Sequence, residues 1–224
     1  MNTNDTIIYL FSGLGADKSV FDELSLLKTI KHKFIEWKKP KSEVLQEYAL
    51  QLSSQIDTTK KVILIGISFG GMLAVSLSKH IRTEKVILIS SVTQPKELPF
   101  LYRTLGKLKF YIFIPTFLLN KPNKLLSFAF GVNGKVYKKE QQKLYEIIKN
   151  TNPKLAKSFI KMIMNWKDKP TRQNKPSSIF KIHGTNDWIL PAPQNCQFLI
   201  QNGGHFMILT DTKEINEHIE KILD

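Results

Sequence analysis

Cysteine is nearly absent. Cys196 stands alone in 224 residues, so no disulfide can close within the chain. That favours a reducing compartment, and the expectation is a cytoplasmic protein. Long apolar runs are also missing. The nearest, Phe110 to Leu119, is broken by Pro115 and falls short of the ~18–20 residues of a membrane span. Met1–Thr6 carries no positive side chain, and Ile7–Phe11 is too short for the apolar core of a secretory leader. Acidic residues are scarce, 19 Asp+Glu against 33 Lys+Arg, for a net charge of +14. Yet no five basic residues run together, so nothing marks a nucleic-acid-binding arm. Lysines scattered singly read as a solvated surface. Contact with a membrane surface, through flanks such as Lys107, Lys109, Lys121 and Lys124, is the lesser reading. The phosphate-cradling pattern G-x-G-x-x-G is absent, which removes the usual dinucleotide fingerprint.

What is present is an alternation of short apolar runs with helical patterns. Ile7–Phe11, Phe34–Trp37, Val62–Ile67, Val86–Ile89, Ile179–Ile182 and Gln197–Ile200 read as strands. They lack an inside/outside alternation, as strands buried on both faces do. Ser42–Ile56, with Ser42 as N-cap, Met72–His80 and Glu214–Leu223 have helical spacing. The pattern predicts a mostly parallel α/β sheet of about six strands flanked by helices. Residues 92–176 interrupt it. They hold aromatic and aliphatic clusters, helix-like stretches at Gln141–Ile148 and Lys154–Trp166, and seven prolines. The expected organisation is a core of 1–91 and 177–224 with a helical cap inserted at 92–176.

Gly66-Ile67-Ser68-Phe69-Gly70 follows Val62–Ile65 directly and opens the next helix. A serine on so sharp a strand-to-helix turn needs neighbours without side chains two residues to either side. The helix start adds a positive dipole where negative charge would develop. A serine hydroxyl is a weak nucleophile at neutral pH and needs a base, which in turn needs a partner to fix its tautomer. Among His32, His80, His183, His205 and His218, only His205 follows the last strand run in a loop, Asn202-Gly203-Gly204-His205-Phe206. His32, His80 and His218 read as exposed, on helices or at their ends. Asp187 follows the Ile179–Ile182 run; Asp168 falls in the insertion, and Asp211 reads as a cap or first-turn residue of the last helix.

These segments together resemble the α/β-hydrolase superfamily. The likeness covers residues 7–16, the G-x-S-x-G stretch at 62–75, residues 180–191 with His183-Gly184-Thr185-Asn186-Asp187-Trp188-Ile189-Leu190-Pro191, and residues 202–209 with Gly203-Gly204-His205-Phe206. It implies an α/β-hydrolase fold lacking the family's first antiparallel strands. It also implies a chain order of nucleophile, acid and base met by Ser68, Asp187 and His205. His183 occupies a place where such proteins often carry a histidine without a catalytic role. Phe11-Ser12-Gly13-Leu14-Gly15-Ala16 is similar to the family's oxyanion loop, with Ser12 where a histidine is usual. By that resemblance the backbone N–H groups of Leu14 and Phe69 form the oxyanion hole.

The expected function is a serine hydrolase that cleaves a carboxylic ester or thioester with a hydrophobic part through an acyl-enzyme. It calls for no metal and no organic cofactor, and its partner is the small-molecule substrate. Phe113, Phe117 and Trp188 are candidate substrate contacts, the first two as walls of an acyl pocket under the cap. Two alternatives stand beside it. One keeps the fold and changes the chemistry to C–C hydrolysis, a lyase reaction or cofactor-free peroxidation. The other is a non-catalytic ligand-binding module.

Overall fold

The computed structural model describes residues 5–132, 137–167 and 178–224. Six strands form one sheet: β1 Thr6–Phe11, β2 His32–Phe34, β3 Lys61–Ile67, β4 Lys85–Ile89, β5 Ser178–Gly184 and β6 Phe198–Ile200. Their order is β2-β1-β3-β4-β5-β6, and each neighbouring pair is parallel. Parallel neighbours require crossovers, and helices supply them on both faces. α1 Leu45–Leu52 lies between β2 and β3, and α2 Phe69–Ser78 between β3 and β4. The excursion from β4 to β5 holds α3 Phe100–Lys107, α4 Lys124–Ala129, α5 Lys138–Asn150 and α6 Pro153–Met164. α7 Met207–Thr210 and α8 Thr212–Leu223 follow β6.

Strand side chains alternate between two cores, which is why no polar face interrupts the runs. Tyr9, Phe11, Leu64 and Leu88 pack with Tyr48, Leu52 and Leu73 of α1 and α2. Ile8, Leu10, Ile65 and Ile87 pack on the other face with Phe21 and with Ile215 and Ile219 of α8. The excursion joins both cores. Phe159 and Met162 of α6 enter the first, and Leu144 and Ile147 of α5 enter the second. At the foot of the excursion, buried Lys181 of β5 bonds Glu97 Oε1 at 2.8 Å and Asn195 Oδ1 at 2.7 Å. A charge taken out of water needs such partners.

From β1 the chain steps outward to β2, then crosses back to β3 on the other side of β1. The winding reverses between β1 and β3, so the loops leaving their C-terminal ends part and open a crevice. Phe11–Ala16 and Ser68 are those two exits.

Several boundaries differ from the sequence-based expectation. β2 spans His32–Phe34 rather than Phe34–Trp37, because backbone register with β1, Ile8↔His32 to Leu10↔Phe34, fixes the ladder. The apolar residues mark where this segment packs, not where it pairs. α1 starts at Leu45 behind Val44. Ser42 Oγ instead accepts the Val44 N–H at 3.2 Å, a local turn that uses up its capping capacity. α2 begins three residues earlier than expected, directly after Ser68. β6 begins at Phe198 instead of Gln197. The expected end of the insertion at 176, and Asp168, lie outside the described residues.

Candidate active site

Ser68 sits between β3 and α2 with φ 51° and ψ −120°, a conformation costing a non-glycine residue about 1–3 kcal/mol. Its surroundings hold it there. Its N–H donates to Ile89 O at 3.0 Å, and its carbonyl accepts from Gly71 N at 3.0 Å and from Ser91 Oγ at 2.6 Å. The flanking glycines answer to backbone approach. A Cβ on Gly66 would lie 2.5 Å from Gly71 Cα, and one on Gly70 would lie 2.2 Å from Ser12 O.

His205 is delivered by the loop after β6. Its Nε2 lies 2.9 Å from Ser68 Oγ, and its Nδ1 lies 2.7 Å from Asp187 Oδ2. Asp187 stands at the exit of β5 and is buried, as is His205. The other carboxylate oxygen, Oδ1, accepts the N–H groups of Ile189 at 3.0 Å and Leu190 at 2.8 Å. Burial alone would raise the Asp187 pKa. The charge of His205, with hydrogen bonds from His183, His205 and the Leu190 N–H, overcomes burial and holds the carboxyl well below the usual carboxylate range.

His183 lies on the far side of the same carboxylate. Its Nε2 is 2.6 Å from Leu190 O and 3.2 Å from Asp187 Oδ2, while its buried Nδ1 has no hydrogen-bond partner among the described residues. A ring nitrogen shared by a carbonyl and a carboxylate carries the proton. His183 therefore orients the acid and does not face Ser68. The remaining histidines lie apart. His32 is exposed on β2 instead of a helix, and His80 follows α2. His218 is half-buried on α8, with its ring 4.9 Å from that of Phe198, rather than exposed. Asp211 stands at the N-cap position of α8 but makes no side-chain cap.

The loop opposite Ser68 is braced without the usual histidine. Ser12 Oγ donates to Ala16 O at 2.6 Å, and Ala16 N donates to Gly13 O at 3.1 Å. These bonds close the turn around Leu14. Gly15, at φ 76°, abuts Thr151 at the end of α5, where any Cβ would meet Thr151 Oγ1 at 2.1 Å. Gly13 packs beside Ser68: a Cβ placed on it would come within 3.6 Å of Ser68 Cβ. Phe69 opens α2, where the first N–H groups have no intrahelical acceptor. A cavity of about 400 Å³ lies against this loop, lined by Gly15, Ala16, Trp37 and Phe159 among others, but not by Ser68 or His205.

The excursion reaches the site through members of its aromatic clusters, which the sequence offers as a set of candidate pocket walls. Phe130 meets the His205 ring edge-on at 5.3 Å, and its carbonyl accepts the Phe206 N–H at 3.0 Å. Gly131 packs against Gly204 closely enough to exclude a Cβ on either. Burial, with the Asp187 charge adding to it, raises the Tyr102 pKa, which places this phenol within electrostatic reach of the acid. Trp188 is exposed at the lip, its ring 6.0 Å from Phe128. Phe113 and Phe117 do not form an enclosed wall: they are 73% and 60% exposed. Tyr111 takes the inward position of the 110–113 turn, so its neighbours fall outward. Among the described residues, no group of three or more His, Cys, Asp or Glu is placed to hold a metal ion.

Comparison with known proteins agrees with the fold. The chain matches the family model described as serine aminopeptidase, S33, over residues 44–205. It belongs to that family of α/β-hydrolases. No curated protein matches its sequence. Among solved structures it is similar to a hydrolase from Pseudomonas aeruginosa, with TM-score 0.71, 12% identity and coverage of 98% of this chain and 90% of the other. An esterase from Thermogutta terrifontis gives 0.69 at 14% identity, covering 97% and 89%. A lipase-esterase related protein from Clostridium acetobutylicum gives 0.67 at 13% identity, covering 97% and 94%.

Proposed function

We propose that this protein is a serine hydrolase acting on a carboxylic ester or thioester with a hydrophobic part. The observation that carries the proposal is the hydrogen-bonded series Ser68 Oγ, His205 imidazole, Asp187 carboxylate, at 2.9 and 2.7 Å, mounted on a strained strand-to-helix turn. Ser68 Oγ attacks the carbonyl carbon as its proton passes to His205 Nε2, and Asp187 stabilises the imidazolium. The N–H groups of Phe69 and Leu14 receive the oxyanion. His205 then returns the proton to the departing alcohol or thiol. A water deprotonated by His205 attacks the acyl-Ser68 carbonyl, and collapse frees the acid as His205 returns that proton to Ser68 Oγ.

The excursion between β4 and β5 acts as a lid in this reading. Phe130 against His205, and Phe128 with Trp188 at the lip, support an apolar substrate part. The test is a chain-length series of p-nitrophenyl and CoA esters, with a fluorophosphonate adduct mapped by peptide mass. Ser68→Ala is expected to lose about 10⁴-fold or more in turnover, with the adduct on Ser68 alone. An adduct elsewhere, or a tenth of the activity retained, would overturn the assignment.

A further inference from the structure

Solvated lysines make an ordinary surface; lysines beside exposed aromatic rings do not. Between Glu97 and Glu140 the chain has no acidic residue, while Arg103, Lys107, Lys109, Lys121 and Lys124 interrupt it. All five are exposed. The same stretch carries most of the protein's exposed large apolar side chains, among them Phe100 at 75%, Phe113 at 73% and Leu125 at 76%. α3 and the turns at 110–113 and 116–118 all pack on α6, so these side chains point away from the body of the protein. Cations and rings are neighbours here: Arg103 lies 5.9 Å from the centre of the Phe100 ring, and Lys121 lies 5.4 Å from that of Phe117.

We propose that the outward face of residues 100–128, together with Trp188, docks on a lipid bilayer bearing anionic headgroups. Apolar rings at the acyl boundary with lysines reaching the phosphates is the chemistry of an interfacial segment. Charge selects this occupant over a second copy of the chain. An isologous contact would press the same acid-free, cationic face against itself, whereas an anionic leaflet attracts it. The segment lies on the bilayer and does not cross it, since no helix among the described residues is long and apolar enough to span one. Trp188 and Phe128 carry the face to the lip beside Asp187, so a docked molecule presents its site to the lipid.

Co-sedimentation with vesicles of phosphatidylcholine, with and without roughly a third of phosphatidylglycerol, tests this. The full chain and its Ser68→Ala variant are expected to bind the anionic vesicles equally, which separates docking from catalysis. Binding to neutral vesicles should be at least about tenfold weaker, and that advantage should shrink at about 0.5 M salt. Emission from exposed Trp188 should shift to the blue, Trp166 being already buried. Phe100→Ser with Phe113→Ser should weaken binding to anionic vesicles about tenfold or more. If that pair disturbs the fold by circular dichroism, the Gln variants of Lys107, Lys109, Lys121 and Lys124 decide, by abolishing the anionic preference. Equal binding to both vesicle types, no binding to either, or native-like variants that bind unchanged would each overturn the proposal. So would a dimer in sedimentation equilibrium that the Phe substitutions dissociate.

Discussion

Replacing Asp187 by asparagine changes one atom and reverses the protonation pattern of the site. The carboxylate now satisfies two separate demands. Oδ1 accepts two backbone N–H groups, from Ile189 and Leu190, and Oδ2 faces His205 Nδ1 and His183 Nε2. An amide cannot do both. If its oxygen keeps the two backbone donors, its nitrogen faces His205 and forces the proton from Nδ1 to Nε2, where it blocks removal of the Ser68 proton. If the amide flips, its nitrogen opposes two buried backbone N–H groups, and leaving those unsatisfied costs about 1–3 kcal/mol each. The first arrangement wins, so the base is held in the wrong tautomer. The expected loss in kcat on p-nitrophenyl butyrate is about 10⁴-fold, or roughly 5.4 kcal/mol of transition-state stabilisation. Stability carries a second signature. Asp187 titrates below its ordinary 3.8 in the folded protein, so its contribution is complete above about pH 4 and is lost as the pH falls. Denaturant titrations should therefore show the wild-type advantage over Asp187→Asn near neutrality and its shrinkage below about pH 4. A variant that keeps a tenth of the wild-type kcat while its fold is intact would refute the tautomer argument, and with it the role given to Asp187.

Two further outcomes follow from the turn at Ser68. Ser68→Gly and Ser68→Ala both lose the hydroxyl, but only glycine relaxes at φ 51°. Ser68→Gly should therefore be more stable than Ser68→Ala by about 1 kcal/mol, a melting difference near 2–4 °C by calorimetry; equal or reversed melting points would contradict the strain. Gly70→Ala drives a methyl against Ser12 O and Phe11 O, at 2.2 and 2.3 Å. It should cost about 2 kcal/mol or more by urea unfolding and lower kcat about 10²-fold by displacing the loop that carries Leu14. A wild-type melting point and rate would show the loop to be free of Gly70.

Sequence alone determined the features whose cause is local. The G-x-S-x-G spacing encodes a turn because backbone atoms close on Gly66 and Gly70 wherever a strand bends into a helix so sharply. Continuous apolar runs encode buried strands because both sheet faces are covered; four of the six runs match the observed strands to within one residue at either end, and the Ile179–Ile182 run lies inside the longer β5. Chain order also pointed to His205 and Asp187. It did not supply the contact, since 137 residues separate Ser68 from His205 and the gap closes only because the parallel sheet brings the exits of β3, β5 and β6 to one edge. Tertiary packing decided the rest. His183 looked idle because its partners, Leu190 O and Asp187 Oδ2, meet it only once the acid loop has folded. β2 was displaced because its register belongs to β1. Phe113 and Phe117 read as pocket walls in the sequence because apolar character is legible there while direction is not. Direction is set by which side chain a short turn spends on its own anchorage, here Tyr111, and the others are left to face whatever the surface meets.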